Sequence, residues 1–331
     1  MIPTLTLLLL LDINLDAVSL IIDKLPFETL WNLSLTCKVI NEIVSQHHKF
    51  KEGMELLSEI HNSRILLESD NYKVVKFFSD KKYIQIYPII SKRFNMITRL
   101  YLYDSIGVTD ISCLGQCQSL TNLDIGNYTS LKDVSVLGQC QSLINLDISD
   151  CTGITDVSGI GKCQFLTNLD LSDCTSLIDV SGLGQCQSLI NLDISGTSVM
   201  DVYELGKLQS LTKLDLSDCT SLMDVSGLGQ CQSLVEIDLS DCTSLTDISE
   251  LGQCQSLVDI NLSDCTSLED VSGLALCQSL TMIYLNNCPG LTDISSLGQC
   301  QSLIKLCICD CTNIVNINIL RNELTDCKIY I

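Results

Sequence analysis

Cysteine is the residue whose spacing first suggests chemistry in this sequence. The chain of 331 residues contains 20 cysteines, and most belong to two sets whose members stand about 23 positions apart. The first set is Cys117, Cys140, Cys163, Cys186, Cys231, Cys254, Cys277 and Cys300. The second set is Cys151, Cys174, Cys219, Cys242, Cys265, Cys288 and Cys311. Cysteines in such numbers could form disulfides or bind metal ions.

A single interruption favours another interpretation of the cysteines. Leu208 stands where the first set would continue after Cys186, and Thr197 stands where the second set would continue after Cys174. Neither residue could complete a disulfide or a thiolate metal site, but a packing position for a small, weakly polar side chain could accept both. We therefore predict that both sets are buried free thiols. Free thiols in this number indicate a reducing compartment, which we expect to be the cytoplasm or, alternatively, the nucleus.

Aspartate forms three further sets at the same interval. The strand row is Asp124, Asp147, Asp170, Asp193, Asp215 and Asp238. The loop row is Asp104, Asp150, Asp173, Asp218, Asp241, Asp264 and Asp310. The turn row is Asp110, Asp133, Asp156, Asp179, Asp201, Asp224, Asp247, Asp270 and Asp293. Stacked carboxylates could attract cations, but a metal site needs oxygen ligands that converge from several directions, which a straight row does not offer. No metal or cofactor is therefore expected.

The chain must position these side chains with a repeated element. Residues 166–188 read LTNLDLSDCTSLIDVSGLGQCQS, and near-copies follow one another at 23 residues, with one interval of 22 between Leu189 and Leu211. The copies begin at Ile97, Leu120, Leu143, Leu166, Leu189, Leu211, Leu234, Leu257, Leu280 and Leu303. A fixed period of this length predicts a solenoid whose units contact only their neighbours.

The repeat resembles the leucine-rich repeat, between its cysteine-containing and 22-residue subclasses. It carries the spacing L-x-x-L-x-L-x-x-C/N-x-x-L. The resemblance implies an α/β fold, with a parallel β-sheet on the concave face and short helical or 3₁₀ returns on the convex face. In this frame Leu169 and Leu171 point inward, and the spacing of Leu324, Cys327 and Ile329 predicts one more strand that ends the sheet near Ile331.

The N-terminal segment has a different pattern. Residues 13–44 contain two series of apolar residues at helical spacing, separated by a Leu-Pro pair and followed by a Cys-Lys pair. The positions in question are Leu25, Pro26, Leu30, Leu33, Leu35, Cys37, Lys38 and Ile43. They resemble the F-box, although Asn14, Asp16, Thr36 and Ile40 depart from its usual residues. The resemblance implies that residues Leu25 to Lys38 bind a Skp1-type adaptor of a cullin ubiquitin ligase. The alternative is a helical cap on the end of the solenoid.

These patterns predict three regions. Residues 1–50 would form the F-box-like helical domain, residues 51–96 a connector or degenerate first repeats, and residues 97–331 ten repeats plus a terminal strand. Within the connector, residues 54–67 are predicted to be helical, and residues 72–78 and 83–90 are rich in β-forming residues. No apolar run reaches the length of a membrane span, and Leu7 to Leu11 lack the basic residues that precede a signal peptide core.

The charge distribution constrains the partner. Residues 1–95 carry 11 basic and 11 acidic residues, whereas residues 96–331 carry 8 and 29, so that the net charge of −21 lies in the repeats. Such a surface repels nucleic acid and anionic membranes and favours a basic protein partner. No histidine falls in the repeats and no phosphate-binding glycine loop is present, so we expect a non-catalytic binding protein.

The residues that face a partner are predicted from the strand positions. We expect the concave face to present Tyr101, Tyr103, Asp124, Asp147, Asp170, Asp193, Asp215, Asp238 and Tyr284. The strand row would be an acidic groove for a basic protein or, alternatively, a solvated face copied by duplication. The turn row persists in the shortened repeat, so we expect it to accept hydrogen bonds from backbone N–H groups. The sequence thus predicts a substrate-recruiting subunit of an SCF-type ligase, with a leucine-rich-repeat interaction protein as the alternative.

Overall fold

The computed structural model describes residues 63–68, 74–79, 98–103 and 109–331. The F-box-like segment lies outside these residues. So do the adaptor-binding candidates Leu25, Pro26, Leu30, Leu33, Leu35, Cys37 and Lys38.

A single sheet contains every strand of the described residues, in the order of the chain. The strands are β1 (Ser63–Glu68), β2 (Val74–Ser79), β3 (Arg99–Tyr103), β4 (Asn122–Asp124), β5 (Asn145–Asp147), β6 (Asn168–Asp170), β7 (Asn191–Asp193), β8 (Lys213–Asp215), β9 (Glu236–Asp238), β10 (Asp259–Asn261), β11 (Met282–Tyr284), β12 (Lys305–Cys307) and β13 (Lys328–Tyr330). The β1–β2 pair is antiparallel, and all later pairs are parallel. The predicted solenoid with a parallel sheet is therefore confirmed.

Short 3₁₀ helices return the chain between successive strands from β3 to β12. They span Ser112–Gln116, Ser135–Gln139, Ser158–Lys162, Ser181–Gln185, Tyr203–Lys207, Ser226–Gln230, Ser249–Gln253, Ser272–Leu276 and Ser295–Gln299. Five residues suffice for a 3₁₀ turn but not for a stable α-helix. The last return, INILRNE, has no glycine and forms the α-helix α1 (Ile317–Glu323), which buries Leu320.

The core consists of aliphatic and cysteine side chains that stack along the solenoid. Leu169, Leu171 and Cys174 are at most 3 % exposed, as are their equivalents in the neighbouring repeats. The thiols also satisfy backbone carbonyls: Cys174 Sγ donates to Ile148 O at 3.2 Å, and Cys163 Sγ donates to Leu137 O at 3.3 Å. The cysteine sets therefore occupy packing positions, as predicted. Burial raises the pKa of the Cys163 thiol to about 11, so that it stays protonated at neutral pH.

The 22-residue repeat keeps this architecture with one residue fewer in the loop after the strand. Thr197 takes the cysteine position there, and its hydroxyl donates to Ile194 O at 2.7 Å, within its own repeat. Leu208 takes the position that the first cysteine set occupies in other repeats, and it is fully buried. The sheet register is unbroken, since Asn191 pairs with Lys213. A single deletion in a surface loop thus leaves the core and the sheet intact.

Two local predictions meet different outcomes. The terminal strand is confirmed as β13, which pairs in parallel with β12. The predicted helix over residues 54–67 is wrong for residues 63–67, which belong to β1. The apolar run Ile65 to Leu67 fits either a helix or a strand, and pairing with β2 at the edge of the sheet selects the strand. The boundaries of the three predicted regions stay a prediction.

Candidate partner-binding face

Two parallel rows of polar side chains run along the concave face of the sheet. Each strand from β4 to β9 has three residues, of which the middle one is buried and the outer two point away from the core. The last residue of each strand belongs to the strand row, and consecutive members are direct partners in the sheet, as Asp147 and Asp170 are. Tyr101 of β3 pairs with Asp124, and Tyr284 ends β11. The side chain of Tyr103 lies outside the described residues.

The carboxylates of the strand row have local partners. Asp170 Oδ1 accepts hydrogen bonds from the backbone N–H of Ser172 at 2.9 Å and from its hydroxyl at 2.6 Å. The same pair of bonds recurs at Asp147, Asp193, Asp215 and Asp238. These aspartates are half-buried, and each retains a second oxygen that takes no part in this turn. The strand row therefore stabilises the end of each strand as well as presenting charge.

The strengths of the charge repulsion and of the serine hydrogen bonds explain how the protein tolerates a continuous row of like charges. Neighbouring strands are about 4.8 Å apart, so two adjacent carboxylates repel by roughly 0.8 kcal/mol in water. A hydrogen bond to a charged group contributes about 1.5–3 kcal/mol, so the serine bonds outweigh the repulsion. The pKa of Asp193 is raised because of its burial and, secondarily, because of Asp215 and Asp170, while the bonds from Ser195 oppose the shift.

A row of asparagine amides lies beside the strand row, and the sequence-based candidates omitted it. It consists of Asn122, Asn145, Asn168 and Asn191, the first residues of β4 to β7. Asn168 Nδ2 donates to Asn145 Oδ1 at 2.6 Å, and Asn191 Nδ2 donates to Asn168 Oδ1 at 2.5 Å. The sequence signal for the amide row was the repeated tripeptide Asn-Leu-Asp. Its first and third residues lie on the same face of a strand. Lys213 ends the amide row and pairs with Glu236 at 2.6 Å.

The two rows form the floor of a shallow groove of about 400 Å³, which runs from Tyr101 to Asp215. Carboxylates accept hydrogen bonds and attract cations, whereas amides both donate and accept. The strand spacing repeats these groups along the groove.

The C-terminal end of the same face has a different character. Lys305 Nζ lies 4.6 Å from the ring centroid of Tyr284 and 5.7 Å from that of Tyr330. The tyrosine hydroxyl lies 3.3 Å from the ammonium, a contact that raises the pKa of Lys305. Met282 and Tyr284 stand where the earlier strands have asparagine and aspartate. The groove thus changes from acidic to aromatic and basic between β9 and β12.

The turn row has the structural role that its spacing predicts. Asp179 Oδ1 accepts the backbone N–H of Ser181 at 2.8 Å, and every other member accepts the equivalent bond. Hydrogen bonds from the hydroxyl and the backbone N–H of Ser135 lower the pKa of Asp133. Those from the backbone N–H and the hydroxyl of Ser158 lower the pKa of Asp156. The strand row makes the same kind of bond, so capping does not distinguish the two rows.

The loop row meets a conformational requirement that the sequence-based reasoning missed. Its described members have positive φ, for example 56° at Asp173 and 58° at Asp241. Asn127, Asn287 and Gly196 take the same position in other repeats, also with positive φ. Asp, Asn and Gly are the residues that tolerate the left-handed region, and their exclusive use at this position was the available signal.

The described part of the chain offers neither a metal-ligand cluster nor a helix that could span a membrane. No group of three or more histidine, cysteine, aspartate or glutamate side chains there could hold a metal ion. No helix among the same residues is long and apolar enough to cross a bilayer.

Comparison with known protein families gives two matches. Residues 10–52 match the F-box domain, and residues 189–271 match the leucine-rich-repeat domain of the endo-β-N-acetylglucosaminidase EndoS. Both resemblances seen in the sequence are confirmed by these matches. No curated protein matches the chain.

Several solved structures are similar to the chain. Internalin InlF from Listeria monocytogenes is 21 % identical, with 78 % of this chain and 86 % of that one covered and a TM-score of 0.47. A leucine-rich-repeat protein of Leptospira interrogans is 19 % identical, with 73 % and 74 % covered and a TM-score of 0.48. Internalin C2 from Listeria monocytogenes is 20 % identical, with 73 % and 82 % covered and a TM-score of 0.47.

Proposed function

Starting from a chain that joins an F-box segment to a leucine-rich-repeat solenoid, we propose that this protein recruits substrates to an SCF-type ubiquitin ligase. The F-box match at residues 10–52, ahead of the solenoid, is the observation that carries the proposal. The segment would bind a Skp1-type adaptor and, through it, the cullin complex. Catalysis would belong to the other subunits, and this chain would act by positioning its target.

The concave face would hold the target protein. Its strand row, amide row and flanking tyrosines offer charge, hydrogen bonds and aromatic contact area along one groove. A net excess of acidic residues in the repeats favours a target with a basic surface and disfavours nucleic acid and anionic membranes. The many thiols suit a reducing compartment, so we place this activity in the cytoplasm.

Co-purification with a Skp1-type adaptor tests the proposal. We expect the full chain to retain the adaptor, and the variant Leu25→Asp/Leu33→Asp to lose at least about tenfold in affinity, because charged side chains would replace apolar contacts. The concave variant Asp170→Asn/Asp193→Asn is the matched control and should bind the adaptor like the unaltered chain.

Failure of the full chain to bind any Skp1-type adaptor would remove the ligase role. The protein would then be a leucine-rich-repeat interaction module, whose groove stands independently of the F-box segment. Equal binding by the Leu25→Asp/Leu33→Asp variant would contradict the assignment of the adaptor surface to these leucines.

A further inference from the structure

Three consecutive repeats, with the 22-residue repeat in the middle, interrupt the polar exterior of the solenoid with exposed apolar side chains. The position just before the turn row is polar in most repeats, as at Thr155 and Thr246. Three consecutive repeats instead carry Ile178, Met200 and Met223 there, and these side chains are 61 %, 50 % and 49 % exposed. Their solvent exposure means that they contribute little to the core.

A fourth apolar side chain joins them on the same side. Each of the other 3₁₀ helices begins with serine, but the one in the 22-residue repeat begins with Tyr203, which is 51 % exposed. We call Ile178, Met200, Tyr203 and Met223 the turn-side patch. Met200 and Met223 are adjacent across the turn, since Met223 N donates to Met200 O at 3.1 Å.

Three members of the patch line a concave site. A pocket of about 240 Å³ lies between the repeat at residues 166–188 and the repeat at residues 189–210. Its lining includes the apolar side chains of Ile178, Met200 and Tyr203 and the acidic side chains of Asp179, Asp201 and Glu204. Its volume suits one or two large side chains, and exposed apolar patches with polar rims commonly mark protein interaction sites. The pocket is away from the groove, whose lining residues are all in strands β3 to β8.

The charge around the pocket identifies the partner's chemistry. The lining side chains that carry a charge at neutral pH, Asp179, Asp201 and Glu204, are all acidic. Lys207, the nearby cation, already forms an ion pair with Glu204. The pocket therefore combines an apolar floor with a negative rim, which repels nucleic acid and anionic lipid and complements lysine or arginine.

We propose that the turn-side patch binds a segment of a partner protein that presents a large apolar side chain flanked by lysine or arginine. This surface lies outside the concave groove and does not depend on the F-box segment. The protein would thus have two separate binding surfaces, and the 22-residue repeat together with its two neighbours would supply the second.

Fluorescence anisotropy with defined peptides tests this proposal on the full chain. The probe is a fluorescein-labelled peptide with a central Leu-Trp pair and three lysines on each side. One control peptide replaces the lysines with glutamate, and another replaces Leu-Trp with Ser-Ser. We expect the probe to bind at least about tenfold more tightly than either control peptide, because each lacks one of the two complementary features.

The sequence offers matched variants for the protein. Met200→Thr and Tyr203→Ser install the residues that other repeats carry at the same positions, so the double variant is expected to fold, which circular dichroism checks. We expect it to weaken binding of the probe at least about fivefold. The variant Glu269→Thr changes the position equivalent to Met200 in a repeat outside both the patch and the groove, and it should leave binding unchanged.

Three results would overturn the proposal. Unchanged affinity in the folded Met200→Thr/Tyr203→Ser variant would remove the patch from the binding site. Loss of binding in the Glu269→Thr variant would show that the peptide follows the general negative charge of the repeats and not the patch. A dimer in sedimentation velocity that the patch variant converts to a monomer would show that a second copy of this chain covers the patch.

Discussion

The repeat at residues 234–256 and the shortened repeat at residues 189–210 have the same backbone but different surfaces. The first carries Cys242, Thr246 and Ser249, and the second carries Thr197, Met200 and Tyr203 at the equivalent positions. Both keep their inward leucines fully buried and their strands in register. The comparison indicates that the fold constrains the inward and backbone-capping positions, while exposed positions can differ between repeats.

The largest expected effect tests whether the two repeats are equally well packed. Leu251→Ala and Leu205→Ala remove equivalent, fully buried side chains from the regular and the shortened repeat. Each should lower the free energy of unfolding by about 2–5 kcal/mol, through lost burial and a residual cavity. Urea denaturation measures both. If Leu205→Ala lowers the free energy of unfolding much less than Leu251→Ala does, the deletion has loosened the packing of the shortened repeat.

A second prediction separates the repeats by their thiols. Burial raises the pKa of Cys254 from 9.0 to about 12, so folding favours the protonated form. This contribution to stability is complete below pH 9 and is lost as the pH rises towards 12, since the unfolded chain ionises first. Between pH 9 and 11 this thiol should lower the free energy of unfolding of the unaltered chain by about 1.4 kcal/mol per pH unit. The variant Cys254→Ala should lack this part of the loss.

The shortened repeat supplies the reverse experiment. Thr197→Cys gives this repeat the residue of the others, at a position where Thr197 is buried. Urea denaturation at pH 8, 9, 10 and 11 should show a steeper alkaline loss for this variant and a shallower one for Cys254→Ala. Parallel pH profiles for all three proteins would show that these thiols do not change their ionisation on folding.

The smallest expected effect concerns the loop-row residue of each repeat, which adopts a positive φ. Asp241 has φ of 58°, and Gly196 has φ of 65° in the shortened repeat. Asp241→Ala should lower the free energy of unfolding by about 1 kcal/mol, because alanine disfavours this region. Asp241→Gly should be within about 0.5 kcal/mol of the unaltered chain, since glycine adopts the conformation without strain. Thermal and urea unfolding provide the measurement, and equal costs for both variants would assign the role of Asp241 to its carboxylate instead.

The repeat period was sufficient to predict the solenoid. Inward leucines at fixed spacing can all be buried only if successive copies stack, which is why Leu169 and its equivalents lie in one core. The terminal strand followed from the same spacing at Cys327 and Ile329. The turn row was predicted because it persists through the deletion, and each of its nine members accepts a bond from a backbone N–H group.

Other features needed the tertiary structure. The helix predicted over residues 54–67 failed at β1 because a short apolar run has no unique period, and strand pairing decided its conformation. The amide row also depends on contacts between repeats, since the bond from Asn168 to Asn145 joins residues 23 positions apart. The turn-side patch combines residues whose exposure becomes evident only when the repeats stack.

The sequence by itself determined the solenoid, its acidic surface and the resemblance to an F-box, because periodicity, charge and short motifs are properties of the chain. The tertiary structure decided which amides form hydrogen bonds along the concave face and which apolar residues remain in solvent. The physical reason is that both properties depend on groups from neighbouring repeats, which only stacking brings into contact.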